Sequence, residues 1–178
     1  MPIDSSTGTC VNVSPDIYVS VFFINATSLA KPGAVQLLET EIQGKFGIAL
    51  IAETWFTGQH LDSVVSIDNY TLFRRNRLHR KGGGVCAYIH NDIKCCYYHP
   101  TDYNHDIEIL WLECTFRGIT YFIACCYHPP RPSYNCTDFT QALSAGIDSI
   151  NVRDGHSVII VAGDFNQLNT EFLSQTMV

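Results

Sequence analysis

Two unbroken apolar runs stand out along the chain, I-A-L-I-A at residues 48–52 and V-I-I-V-A at residues 158–162. Continuous β-branched runs of this length predict strands buried on both faces, near the middle of a sheet. Residues 17–24 predict a strand that stops at Asn25. Val35, Leu38, Ile42 and Phe46 then recur at helical spacing, with Pro32 in or near the first turn and Gly44 or Gly47 as the stop. With the strand at 48–52 this makes a β-α-β unit, so two parallel strands should deliver Asn25 and Glu53 to the same edge. Residues 56–70 read as irregular, and 71–73 as a short strand. Gly82, Gly83 and Gly84 turn the chain into a strand at 85–90 that sets Val85, Ala87 and Ile89 on one face. Asn91 and Asp92 break it, and residues 93–99 are expected as its hairpin partner. A second hairpin is predicted from 107–115 and 119–127 with Arg117-Gly118 as its turn, ended by His128-Pro129-Pro130. A helix from Thr137-Asp138 to about Asn151 carries Phe139, Leu143, Ile147 and Ile150 on one stripe and leads into the run at 158–162. Residues 169–178 begin another helix, and residues 1–16 read as a loose leader to a single domain at 17–178. Strands in β-α-β order and as hairpins together predict an α/β (α+β) chain with mixed sheets and helices outside.

Composition narrows the class. With 178 residues, 46% hydrophobic and 16% charged, the chain can bury a proper core. A formal charge of −6 offers no general attraction to nucleic acid, so a polyanionic partner must be met locally or through a metal ion. Five of the eleven basic residues, Arg74, Arg75, Arg77, Arg80 and Lys81, fall in one short segment. A solvated hairpin and a salt-sensitive DNA-backbone contact both fit that run. Eight cysteines and sequons at Asn12, Asn25, Asn69 and Asn135 raise secretion with disulfides. Against it, the polar N-terminus has no signal-peptide character, and the first apolar run is too short for a membrane span. No C-x-x-C occurs, and the Cys-Cys doublets point neighbouring thiols to opposite strand faces. Reduced thiols in an intracellular, non-secreted protein with no membrane partner are the expectation.

The chemistry gathers at strand ends. Asn25, Glu53, Tyr127, and Asp164 with Asn166 each close a predicted strand, and α/β proteins bind ligands at such ends. One glutamate with amide oxygens and water suits Mg²⁺. An aspartate beside an asparagine can orient a water, and a tyrosine hydroxyl can donate to a phosphate oxygen as charge grows on it. Metal-assisted hydrolysis of a phosphate ester is the class this suggests.

The residues also carry a family resemblance. In order along the chain come I-N-A-T-S-L-A-K-P at 24–32, A-E-T-W at 52–55 and R-R-N-R-L-H-R-K-G-G-G-V at 74–85. I-L-W-L-E at 109–113, C-Y-H-P-P at 126–130 and V-A-G-D-F-N at 161–166 follow. This set resembles the endonuclease/exonuclease/phosphatase superfamily, and more narrowly the apurinic-type endonuclease domain of non-LTR (LINE-type) retrotransposons. The resemblance implies two packed mixed sheets flanked by helices, a deoxyribonuclease-like four-layer sandwich. It implies Mg²⁺-dependent DNA nicking, with Mn²⁺ as a substitute, that leaves a 3′-hydroxyl to prime reverse transcription. By position, Glu53 is the main metal ligand, Asn25 helps bind the metal or the scissile phosphate, Tyr127 contacts the phosphate, and Asp164 and Asn166 position and activate water. Arg77 and Lys81 fall in the run that would touch substrate. DNA is the implied partner, a reverse transcriptase the ancestral fusion, and the nucleus the implied site of action.

Two departures bear on activity. Asn76 stands where relatives carry an Asp, at the expense of an ion pair. The family's closing Ser-Asp-His does not occur, and the sequence stops at Val178, shortly after Asn166. A domain incomplete at its C-terminus, with an exposed sheet edge, is therefore expected. An inactive remnant is the alternative to a nicking enzyme, and a lipid-headgroup phosphodiesterase of the same superfamily a further one.

Overall fold

A computed structural model describes residues 19–100, 106–154 and 157–168. The expected leader at 1–16 and helix at 169–178 lie outside the described residues.

Each apolar run becomes a strand, and the two β-α-β segments fix the architecture. The first is β1 (Val21–Asn25), α1 (Ala34–Ile42) and β2 (Ile48–Ala52). The second comes later, as β7 (Ile119–Tyr127), α2 (Cys136–Arg153) and β8 (Val158–Asp164). Between them run β3 (Tyr70–Arg75), β4 (Val85–His90), β5 (Lys94–Tyr97) and β6 (Glu108–Phe116). Among the described residues two four-stranded sheets result, ordered β1-β2-β4-β3 and β5-β6-β7-β8. β1 with β2 and β7 with β8 are the parallel pairs, and the remaining pairs are antiparallel, so both sheets are mixed as expected.

Alternation along the strands builds three apolar layers. Leu50, Ala52, Val85, Ala87, Leu112, Ile123 and Cys125 meet between the sheets. On the opposite face of the first sheet, Ala49, Ile51, Cys86 and Tyr88 pack under Val35, Leu38 and Ile42 of α1. On the second, Trp111, Phe122, Ala124 and Cys126 pack under Phe139, Leu143, Ile147 and Ile150 of α2. The order is helix, sheet, sheet, helix, the expected four-layer sandwich. Asp138 caps α2 by accepting the Asn135 backbone N–H at 3.0 Å, and Arg117 and Gly118 both take positive φ in the β6–β7 turn.

Two expectations are corrected. β5 does not pair with β4, because β2 and β3 already occupy both edges of β4; it pairs with β6 in the other sheet. β8 is not central either: among the described residues its one strand neighbour is β7. Its apolar faces meet α2 and the inter-sheet core, whereas no described strand lies against its outer backbone edge. The seven described cysteines are free thiols. The Cys125-Cys126 doublet splits between two cores as expected, while the cross-strand neighbours Cys95 and Cys114 bring their sulfurs to 2.8 Å.

Candidate active site

Because both parallel pairs run the same way, β1, β2, β7 and β8 present their C-terminal ends together, and β1 lies against β8 and β2 against β7 across the sheet interface. The backbone beyond the strands stays laddered: Ala26, Ser28 and Ala30 donate to the carbonyls of Ala52, Glu53 and Thr54. His128 N–H donates to the Asp164 carbonyl at 2.8 Å, carrying the second pair one step further.

At this end one amide links the two sheets. Asn25 Nδ2 donates to Glu53 Oε1 at 3.0 Å and to Asp164 Oδ2 at 2.6 Å. Its Oδ1 accepts the Thr27 backbone N–H at 3.0 Å, which fixes the orientation of the amide. Tyr127 OH donates to Glu53 Oε1 at 2.9 Å, and Trp55 Nε1 donates to Oε2 at 3.1 Å. Asp164 Oδ1 accepts the Asn166 backbone N–H at 3.0 Å, and Asn166 Nδ2 donates to the His128 carbonyl at 2.8 Å. Strained backbone concentrates here. Thr27, Ser28, Glu53, Trp55 and Asn166 all have positive φ, leaving Asn69 and Arg117 as the other non-glycine cases among the described residues. Such conformations persist where surrounding contacts over-determine them, and they cluster at functional sites.

The electrostatics follow from these bonds. Burial works to raise the Glu53 carboxyl, but donation from Asn25, Trp55 and Tyr127 and the Arg77 charge outweigh it and hold it below the ordinary carboxylate value. Burial, and then the Glu53 carboxylate, push the Tyr127 phenol well above its usual range, so it stays a hydrogen-bond donor. Burial lowers His128 against the opposing pull of Asp164. Its ring nitrogens face the Tyr134 hydroxyl at 3.2 Å and the Cys136 sulfur at 3.8 Å, and its ring packs edge-on to Phe139. His128 is thus a buried loop residue.

Asn25, Glu53, Tyr127, Asp164 and Asn166 therefore converge. Asn25, expected to help bind the metal or the scissile phosphate, turns its NH₂ rather than its oxygen toward the carboxylates, because the Thr27 N–H holds the oxygen. Arg77, expected on substrate, is committed instead to Glu108. Lys81 stands 5.9 Å over the Trp55 ring. Two contributors were missed. Trp55, the last residue of A-E-T-W, donates to Glu53, and Glu108 lies outside every quoted motif, with no signal in the sequence to mark it.

The site also fits a hard divalent cation. Among the described residues no three His, Cys, Asp or Glu side chains gather. Two carboxylates do, sharing the partial positive charge of one amide where a full charge would be favoured more. Few protein oxygens plus retained water is the Mg²⁺ pattern rather than the Zn²⁺ one. No described helix is long and apolar enough to cross a membrane.

Comparison with known proteins agrees with this geometry. The profile of the Endonuclease/Exonuclease/phosphatase family matches residues 18–175. No curated protein sequence matches the chain. The fold is shared with truncated Caenorhabditis elegans TDP2, at 15% identity and TM-score 0.58, over 83% of this chain and 62% of that one. D. rerio TDP2 complexed with single strand DNA product gives 15% and 0.59, over 88% and 64%. The endonuclease domain of TRAS1, a telomere-specific non-LTR retrotransposon, gives 16% and 0.53, over 81% and 58%. The chain thus spans less than two thirds of the length of each of these structures.

Proposed function

Because the chain belongs to the Endonuclease/Exonuclease/phosphatase family, we propose that it is a Mg²⁺-dependent phosphodiester hydrolase of the retrotransposon type, nicking DNA to leave a 3′-hydroxyl. One observation carries this reading: a single amide, Asn25, donates to carboxylates from both sheets, Glu53 and Asp164. Glu53, with Asp164 beside it, would hold the cation, which when bound supplies positive charge against a phosphate oxygen. The Tyr127 hydroxyl, kept protonated, donates to the phosphate as negative charge develops. Asp164, oriented by the Asn166 backbone, accepts a hydrogen bond from the attacking water. Asn25 spaces the two carboxylates so that both serve one reacting centre. DNA as substrate is supported by two proteins of the same fold, the TRAS1 endonuclease domain and the TDP2 crystallised with single strand DNA product. Action in the nucleus, and fusion to a reverse transcriptase in a longer polyprotein, belong to the same proposal.

A second reading, the fold without the activity, is favoured by the absence of an imidazole at the carboxylates among the described residues. The ring nitrogens of His128 are taken up by Tyr134 and Cys136. Conversion of supercoiled plasmid to open circles in Mg²⁺ separates the two. Nicking by the purified chain that is abolished by Asp164→Ala is the expected result, and a plasmid left supercoiled by the wild type would establish the second reading instead.

A further inference from the structure

The first half of the basic run, Arg74 to Arg77, is half-buried against the protein, whereas residues 78–81, with Arg80 and Lys81, are exposed. Arg74 pairs with Asp62 at 2.8 Å and donates to the His60 carbonyl, and Arg75 donates to the Ile109 carbonyl at 3.0 Å. Arg80 reaches the Arg131 carbonyl and Ser133 Oγ, both at 3.3 Å. Arg77 is the most deeply committed. Its side chain is 14% exposed, its Nε donates to Glu108 Oε1 at 2.6 Å, and its Nη2 lies 2.5 Å from the same oxygen. The other oxygen of Glu108 accepts the Gly84 backbone N–H.

This knot touches both members of the Glu53–Tyr127 pair. The Arg77 guanidinium stands 5.5 Å over the Tyr127 ring. Trp55 N–H donates to the Gly83 carbonyl at 2.8 Å and Thr54 N–H to the Gly84 carbonyl at 3.2 Å, so the residues following Glu53 hang from the same glycines. A Cβ on Gly83 would run into the Arg77 guanidinium, and one on Gly84 would press on Thr54 Oγ1. Burying an acid and a base together is seldom the cheapest way to fill space, since apolar residues of similar volume often do as well.

We propose that Glu108 is a positioning residue: acting through Arg77, it fixes the Tyr127 ring and the Glu53 turn, so that Arg77 with Gly83 and Gly84 forms an internal clamp rather than a DNA contact. The catalytic meaning of this clamp rests on the phosphodiester-hydrolase reading; its geometry does not. Four measurements test it. In the wild type, the Arg77 Nε–H should give a slowly exchanging NMR signal, and a freely exchanging one would overturn the clamp. In Glu108→Gln, and in the double variant Arg77→Gln with Glu108→Gln that strands no buried charge, ring-labelled Tyr127 should change its signals while Tyr88 keeps its own. Tyr127 signals at wild-type positions in both would overturn the proposal. Duplex binding in chelator should keep its salt dependence in the double variant, whereas a slope reduced by about one would make Arg77 a phosphate contact. Where the wild type nicks plasmid, Glu108→Gln should lower kcat at least tenfold with KM unchanged. If the wild type does not nick, the functional reading fails, while the NMR and salt measurements still decide the clamp.

Discussion

Glu53 and Tyr127 end strands with a neighbour on each side, whereas Asn25 and Asp164 end strands that have one neighbour among the described residues. β2 is fully buried along its length, and β7 nearly so. β1 and β8 are as apolar in sequence, yet every residue of β1 is half-buried and Val158 of β8 is 40% exposed. One half of the site is therefore built into the interior, and the other is held in place by few bonds, chiefly those of Asn25. Apolar sequence alone does not separate the two; position in the sheet does.

The largest difference should appear in stability. Leu50→Ala in β2 is expected to cost about 2–5 kcal/mol and Ile160→Ala in β8 about half as much, because the partly exposed site has less packing to lose. Urea titration measures both, and equal costs would erase the distinction. Next, Asn25→Ala should cost about 1–2 kcal/mol, since it leaves two carboxylates without their shared donor, against about 1 kcal/mol or less for Tyr127→Phe. Thermal unfolding of both variants would show whether the edge half depends on Asn25 as strongly as its bonds suggest.

The smallest effect concerns the buried knot beside the interior half. Burial raises the Glu108 carboxyl above the ordinary carboxylate value, against the lowering pull of Gly84 and Arg77. A raised folded pKa means that its contribution to stability is fully present below the unfolded value and is lost as pH rises through the folded one. Relative to Glu108→Gln, the wild type should therefore lose stability as pH rises from below the ordinary glutamate value through the raised folded one, and then run parallel. Parallel curves throughout would mean that the carboxyl feels no net penalty.

Much of this arrangement was legible in the sequence, for a local reason. Residues 48–52, 85–90 and 119–127 carry their strand signal in their own composition, and Phe139, Leu143, Ile147 and Ile150 carry their helical one. Asn25, Glu53, Tyr127 and Asp164 were found because each stops an apolar run. What failed depended on pairing. An apolar run reports that two faces are covered, not that two backbone edges are, so β8 looked central. The hairpin expected at 93–99 ignored that β3 had already filled the edge of β4. The roles of Trp55, Arg77 and Glu108 come from partners brought together by the fold, and a basic run reads the same whether it faces solvent or a buried acid.

Whether the two halves form one centre is tested most directly by a double-mutant cycle on plasmid nicking, with Glu53→Ala from the interior half and Asp164→Ala from the edge. Groups that act as a unit are grossly non-additive. Each single variant should lower the rate by about 10²-fold or more, and the double variant should be no slower than the slower single. Losses that multiply, or a wild type that does not nick, would contradict a single phosphodiester-cleaving centre assembled across both sheets.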